Sequence, residues 1–170
     1  FRSRLGINEK EQLILFVGRL TWVKGVDTLI QAMPLILKEV PNAKLLILGK
    51  GEQEELIRHM VANLGIEKSV ILEFKYADEE ERILHYAACD AAVFPSKYEP
   101  FGIVCTEAMS MGKPAVVGAR GVSGLREQVI PSGVARCGFH VNPYDPSDIA
   151  KFVIELLKNP DLREEMGKNA

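Results

Sequence analysis

The chain alternates between short, nearly continuous apolar runs and longer segments in which apolar residues recur every three or four positions. A strand that helices cover on both faces has the first pattern, because neither of its faces meets water. The pattern therefore predicts six buried strands, at residues 13–17, 44–48, 70–74, 90–94, 114–118 and 138–142.

Helical spacing fills the segments between these runs. In residues 26–40 the apolar side chains follow three- and four-residue steps, and Pro34 is expected to bend this helix or to sit in a tolerated kink. This alternation of strand and helix predicts a parallel sheet with right-handed crossovers. The expected fold is one Rossmann-like three-layer α/β/α domain with a six-stranded parallel sheet, spanning residues 1–170. Further helices are predicted at residues 52–64, 79–88, 102–111, 123–130, 146–157 and 161–168.

The amino-acid composition of the chain limits the classes of function that fit it. The 170 residues are 47% hydrophobic and 26% charged with a formal charge of −2, which is typical of one globular domain and does not favour nucleic acid as a partner. Cys89, Cys105 and Cys137 lack metal-ligand spacing and are predicted to be buried thiols in a reducing, cytoplasmic compartment. No apolar run approaches the ~20 residues that span a bilayer. Because the chain starts at Phe1 and not at Met, we expect a fragment of a longer protein.

Parallel α/β sheets bind ligands at the carboxyl ends of their strands, so the loops that follow strands are the places to search. Residues 17–25 follow the first strand and contain Arg19 and Lys24 beside glycines, which let a backbone approach a ligand. These two cations can neutralise a diphosphate, although two solvated loop charges explain them equally well. As a loop cation, Lys24 is expected to add little to the stability of the core. Trp22 is either a stacking surface or a lid over the core.

The loop at residues 48–56 contains Gly49 and Gly51 but lacks the third glycine of a dinucleotide fingerprint, because Glu54 stands there. A tight turn followed by an acid-rich first helical turn fits this segment better. The loop at residues 116–129 also departs from that fingerprint. It leads into a helix that carries Glu127, and its simplest interpretation is a flexible segment with Ser123 as the helix cap.

Residues 95–112 place Glu99 and Glu107 eight positions apart across a Pro-Phe-Gly junction. A helix that begins near Gly102 would direct unpaired N–H groups at an anion, and this glycine would leave room for the anion. If helical geometry holds from the first glutamate to the second, their carboxylates lie about 12 Å apart along the axis. A hydroxyl acceptor, an anion site and a second hydroxyl acceptor match the sugar, diphosphate and ribose of a nucleotide sugar.

Taken together, these motifs resemble the C-terminal lobe of glycosyltransferase family 4, the retaining enzymes of GT-B architecture. The stretch VGRLTWVKGVDTLI contains the family's G-R-x4-K-G pattern, EPFGIVCTE contains its E-x7-E pattern, and the loop at 116–129 aligns with its G-G-x-x-E segment. Two departures stand out. Ser123-Gly124 replaces the usual Gly-Gly, which leaves the role of Glu127 open, and Phe74-Lys75-Tyr76 replaces a segment that commonly includes glycine.

The resemblance implies that Arg19, Lys24 and Glu99 form the catalytic set. The two cations would hold the donor diphosphate and Glu99 would position the transferred sugar. Glu107 is implied to bind the ribose hydroxyls, and Lys75 with Tyr76 to lie near the base. The rest of the implied donor-binding set is Gly18, Phe101, Gly102, Ile103 and Val104.

The implied reaction transfers a hexose from a nucleotide sugar to a hydroxyl of a glycan, polysaccharide or lipid, with retention of configuration. The cations and a helix N-terminus would stabilise the leaving diphosphate, so no metal and no cofactor is expected. His59, His85 and His140 are scattered along the chain and are expected to be structural or solvated.

The acceptor, and any peripheral membrane association, would involve an N-terminal lobe that is absent from this chain. The isolated domain is therefore expected to bind donor without turnover. Two alternatives stay open, a GT-B nucleotide-sugar epimerase and a non-catalytic α/β binding module. The sequence does not decide the base, the sugar or the acceptor.

Overall fold

A computed structural model describes all residues of the chain, Phe1–Ala170. Each predicted apolar run forms a strand, and each observed boundary lies within one residue of the predicted one. The strands are β1 Gln12–Val17, β2 Ala43–Leu48, β3 Val70–Glu73, β4 Ala91–Phe94, β5 Ala115–Gly118 and β6 Gly138–Val141. All six are parallel and form one sheet in the order β3-β2-β1-β4-β5-β6, which confirms the predicted sheet.

Every predicted helix is present. The segment predicted at 123–130 is reduced to a single turn, and α1 continues through Pro34. Short 3₁₀ turns occur at Arg2–Leu5, Trp22–Lys24 and Glu67–Ser69. None of the helices combines the length and the apolar character that crossing a bilayer requires. The helices are α1 Val26–Glu39, α2 Glu54–Asn63, α3 Glu79–Ala88, α4 Ile103–Ser110, α5 Leu125–Gln128, α6 Pro146–Lys158 and α7 Pro160–Asn169.

The sheet separates two buried cores. Successive side chains of β1 point to opposite faces, so Ile14 and Phe16 pack with α1, α2 and α6, while Leu13 and Leu15 pack with α3 and α4. The three cysteines are free and lie buried, as predicted. Helices thus cover both faces of the sheet, which is the expected three-layer α/β/α architecture.

The strand order reverses between β1 and β4, and this reversal opens a crevice. β1 pairs with β2 on one side and with β4 on the other, and the crossovers on these two sides leave the sheet in opposite directions. The loops after β1 and β4 meet above the crevice, where the N–H of Lys97 donates to the carbonyl of Val23 at 2.7 Å. Open α/β sheets bind ligands at such a switch point.

Candidate functional site

Two adjoining clefts lie at the carboxyl edge of the sheet. The larger, of about 470 Å³, lies over the crevice between β1 and β4. The smaller, of about 240 Å³, lies over the ends of β1 and β2. Val17, Gly18, Arg19 and Val104 line both clefts, which therefore form one extended depression.

Every residue of the expected donor-binding set lines this depression. The larger cleft is lined by Gly18, Arg19, Lys24, Glu99, Phe101, Gly102, Ile103 and Val104. The smaller cleft is lined by Gly18, Arg19, Lys75, Tyr76, Val104 and Glu107. The structure thus brings together residues from three loops that are far apart in the chain, while their roles toward a ligand stay predictions.

Lys24 and Glu99 form an ion pair in the wall of the larger cleft. Their side chains are only 17% and 11% exposed, so each charge depends on the other for compensation. The backbone of Glu99 is held on both sides, because its N–H donates to Val122 at 3.0 Å and its carbonyl accepts from Gly124 at 2.7 Å. Glu99 is therefore a fixed carboxylate whose partner is a cation of another loop.

The helical geometry expected between Glu99 and Glu107 is wrong. Gly102 has a φ of 91°, and α4 begins only after it, so Glu99 lies outside the helix. A Cβ at Gly102 would lie 2.5 Å from Leu125 Cδ2, so this glycine lets α5 pack closely, while the approach of an anion at Gly102 in the larger cleft stays a prediction. The helix start itself is confirmed. The first-turn N–H groups of Ile103 and Val104 have no intrahelical acceptors, and both residues line the larger cleft.

The glycines of the loop after β1 were predicted to let the backbone approach a ligand, but Gly25 instead allows contact with another loop. Gly25 has a φ of 71°, and a Cβ at this position would collide with the carbonyl oxygen of Pro95. The missing side chain therefore allows the loops after β1 and β4 to touch, and does not open the backbone to a ligand. Trp22 is 57% exposed, so it does not form a lid over the core.

Arg19, like Lys50 in the smaller cleft, is a cation of the depression that has no ion-pair partner within the chain. Its side chain is exposed, lines both clefts and makes no ion pair or hydrogen bond within the chain. A guanidinium offers several donors in one plane and suits the bidentate binding of phosphate oxygens. The junction of the two clefts is therefore a place where this chain offers an anion an unpaired guanidinium.

Glu107 is held by two residues of α3 that sequence reasoning missed. Arg82 donates from Nη2 to Oε1 at 2.9 Å and from Nε to Oε2 at 3.2 Å. The hydroxyl of Tyr86 donates to Oε2 at 2.9 Å. The hydrogen bond to Glu107 raises the pKa of Arg82, and burial, with this carboxylate second, raises the pKa of Tyr86. The available signal was their four-residue spacing, which places both on one face of α3.

Lys75 reaches the smaller cleft but is already bound. Its ammonium donates to Glu81 at 2.6 Å and lies 3.1 Å from Glu73, and the hydrogen bond to Glu81 is the main cause that raises the pKa of Lys75. Glu73 and Glu81 with His85 have the spacing of metal ligands, but the ammonium of Lys75 holds both carboxylates. Tyr76 is 83% exposed at the rim of the cleft.

The loop at residues 116–129 supports Glu99, and of its residues only Leu125 lines a cleft, the larger one. Ser123 does not cap α5, because its hydroxyl donates to the carbonyl of Gly118 at 2.6 Å. A Cβ at Gly124 would collide with the carbonyl of Pro100, so this glycine lets the two loops pack. Glu127 is exposed on α5 and lines neither cleft.

Ser96 is a further cleft residue that the sequence did not single out. It directly follows Pro95 after β4, is 2% exposed and lines the larger cleft. Its hydroxyl makes no hydrogen bond within the chain, although buried polar groups are usually paired. The hydroxyl is thus available to a ligand of the larger cleft. Its position two residues after a buried strand was the only signal that the sequence offered.

The sheet order and the double cleft at the carboxyl edge define a Rossmann-like α/β domain of the kind found in GT-B glycosyltransferases. The family model described as glycosyl transferases group 1 matches residues 1–170. The chain belongs to this family.

Individual relatives agree with this assignment. An uncharacterized glycosyltransferase of Methanocaldococcus jannaschii is 43% identical over 171 residues, which cover 100% of this chain and 42% of the relative. Sucrose-phosphate synthase from Thermosynechococcus elongatus has a TM-score of 0.86 at 32% identity, covering 99% of this chain and 41% of that one. Anabaena HepE in complex with UDP-glucose has a TM-score of 0.85 at 26% identity, covering 99% and 44%. The chain spans about two fifths of the length of the curated relatives it matches.

Proposed function

We propose that this chain is the C-terminal, donor-binding domain of a retaining family 4 glycosyltransferase. The enzyme transfers a hexose from a nucleotide sugar to a hydroxyl of a glycan, polysaccharide or lipid. One observation carries the proposal. The depression has an ion-paired carboxylate at one end, an unpaired guanidinium in the middle and a second fixed carboxylate at the other end, contributed by Glu99, Arg19 and Glu107.

This order matches the parts of a nucleotide sugar. The sugar occupies the larger cleft, where the carboxylate of Glu99 accepts hydrogen bonds from its hydroxyls. The diphosphate lies at the junction, between Arg19 and the N–H groups that open α4. The ribose and base occupy the smaller cleft, with the ribose hydroxyls at Glu107 and the base near Tyr76. The bound UDP-glucose of Anabaena HepE supports this class of ligand.

The cations assist the departure of the leaving group. When the anomeric C–O bond breaks, negative charge builds on the departing diphosphate, and Arg19, Lys24 and the start of α4, which all line the larger cleft, stabilise that charge. Because these groups supply positive charge from the chain itself, the proposed reaction needs no metal and no cofactor. In a retaining reaction the departing phosphate assists an attack on the same face of the sugar, so Glu99 positions the sugar and is not a nucleophile.

The remaining parts of the reaction belong to a second lobe. The proposed N-terminal lobe binds the acceptor and makes any contact with a membrane surface, and the enzyme works in the cytoplasm. This chain alone then binds donor without transferring its sugar. Multiple-turnover transfer by the isolated chain would contradict this division of roles.

Thermal unfolding with added nucleotide sugars tests donor binding, because a ligand that binds only the native state raises the melting temperature. We expect UDP-glucose, ADP-glucose or GDP-mannose to raise it for the wild-type chain, and Arg19→Ala to lose most of the shift. Arg126→Ala is the matched control, since Arg126 is exposed on α5 and lines neither cleft.

An unchanged melting temperature with all three nucleotide sugars and their nucleoside diphosphates would contradict the proposal. An equal loss of the shift in both arginine variants would remove the role of Arg19. With the full-length protein, an epimerised sugar in place of a glycoside would identify an epimerase.

A further inference from the structure

The carboxylate of Glu107 is held unusually firmly for a group that is expected to bind a ligand. Three donors from α3 reach it, two from the guanidinium of Arg82 and one from the hydroxyl of Tyr86, at 2.9 to 3.2 Å. A carboxylate offers about four acceptor positions on its two oxygens. Most of this capacity is satisfied inside the protein, and the direction of what remains is fixed.

Tyr86 shows that this arrangement is a built feature of the fold. The residue is 1% exposed, and its ring packs in the core beneath α3 and α4. A buried phenol requires a hydrogen-bond partner, and the partner of this one is Glu107. Because the ring cannot move without disturbing the core, its hydroxyl fixes Oε2 of the carboxylate.

Arg82 has an additional electrostatic effect. A bare carboxylate in the smaller cleft would repel a diphosphate at the adjoining junction, since both are negative. The guanidinium of Arg82 forms a two-point ion pair with Glu107, and it is itself oriented by the carbonyl of Ala77 at 3.0 Å. It therefore offsets the charge of Glu107, whose two oxygens keep about one acceptor position free beside the three internal donors.

We propose that Arg82 and Tyr86 are positioning residues for donor binding, which fix and charge-compensate Glu107 so that its remaining acceptor position receives a hydrogen bond from a ribose hydroxyl next to a diphosphate. This inference rests on the proposed function, because it takes the ligand of the smaller cleft to be a nucleoside diphosphate. Tyr86 lines neither cleft, whereas Arg82 lines the smaller cleft beside Glu107. Both act through the direction and the net charge of the Glu107 carboxylate.

Calorimetric titration of the chain with paired nucleotides tests the proposal. UDP, ADP and GDP are each compared with the 2′,3′-dideoxy counterpart, which lacks both ribose hydroxyls that could donate a hydrogen bond to Glu107. Tyr86→Phe keeps the ring and removes the hydroxyl, and Arg82→Lys keeps the charge and removes the two-point geometry. We expect each variant to bind the ribonucleotide about tenfold more weakly, the factor of one lost charge-assisted hydrogen bond, with little change for the dideoxy form.

Tyr98→Phe and Arg126→Lys are matched controls, because both residues are half-exposed or exposed and neither lines a cleft. Both controls should leave the preference for the ribonucleotide unchanged. Equal weakening of both members of a pair in Tyr86→Phe and Arg82→Lys would mean a purely structural role and would overturn this inference alone. If the wild-type chain bound no nucleoside diphosphate, the proposed function and this inference would both fail.

Discussion

At the scale of single residues, the central feature is the ion pair between Lys24 and Glu99, which joins positions 75 apart in the chain. The sequence suggested a loop cation that contributes little to the core. The structure corrects this expectation, because Glu99 is buried and has Lys24 as its only ion-pair partner. Removing one member of such a pair leaves an uncompensated charge on a largely buried side chain.

Lys24→Ala is therefore expected to lower the free energy of unfolding by about 1–3 kcal/mol, the cost of leaving a buried polar partner unsatisfied. Urea denaturation measures this change. The double variant Lys24→Ala, Glu99→Gln should recover part of the loss, because the amide carries no charge. A single variant as stable as the wild type would show that the pair does not stabilise the fold.

At the scale of elements, glycines decide how the loops after the strands pack on one another. Gly25 meets Pro95, Gly49 meets Gly18, and Gly124 meets Pro100, in each case at a backbone carbonyl. These contacts bring the loops after β1, β2, β4 and β5 together into one rigid edge. These three glycines thus serve contact between loops, whereas the sequence predicted approach to a ligand for Gly25, a tight turn for Gly49 and a flexible segment for Gly124.

Gly25→Ala should destabilise the chain strongly, because it adds a collision with Pro95 to the cost of a left-handed backbone. Gly133→Ala is the matched control, since Gly133 has a φ of 79° and open space around it. In the control variant the free energy of unfolding should fall only by the cost of a left-handed backbone at a non-glycine residue, about 1–2 kcal/mol. Chemical denaturation of both variants compares them, and equal losses would show that the loop contact contributes nothing.

At the scale of the whole molecule, one of the two cores, the one on the α3 and α4 side of the sheet, keeps all three thiols away from water. Burial raises the pKa of Cys89 from 9.0 to about 12, and burial also raises that of Cys105 to about 12. Below pH 9 the folded and unfolded chains both hold these protons. Between pH 9 and 12 the unfolded chain loses protons that the folded chain keeps, so the free energy of unfolding falls as the pH rises.

We therefore expect the stability of the chain to decline between pH 9 and pH 10.5 in urea denaturation. Cys89→Ala should decline less steeply than the wild type, whatever its absolute stability. An aromatic disulfide reagent at pH 8 should react slowly with the folded chain and rapidly in denaturant. Rapid reaction of all three thiols in the folded state would contradict the burial.

Much of the fold could be predicted from the sequence, because the pattern that encodes each strand and helix is local. Every strand boundary was found within one residue, and only the helix at 123–130 was much too long. The sequence also placed Arg19, Lys24, Glu99 and Glu107 at the right edge of the sheet, since motifs after parallel strands must lie there.

The sequence by itself determined the order of the elements and the residues that reach the carboxyl edge, because both depend on positions a few residues apart. Only the tertiary structure decided which of these side chains form ion pairs and hydrogen bonds with one another. It paired Lys24 with Glu99, placed Arg82 and Tyr86 on Glu107, and left Arg19 unpaired. Those contacts join residues 21 to 75 positions apart, and no local pattern encodes which distant side chains will meet.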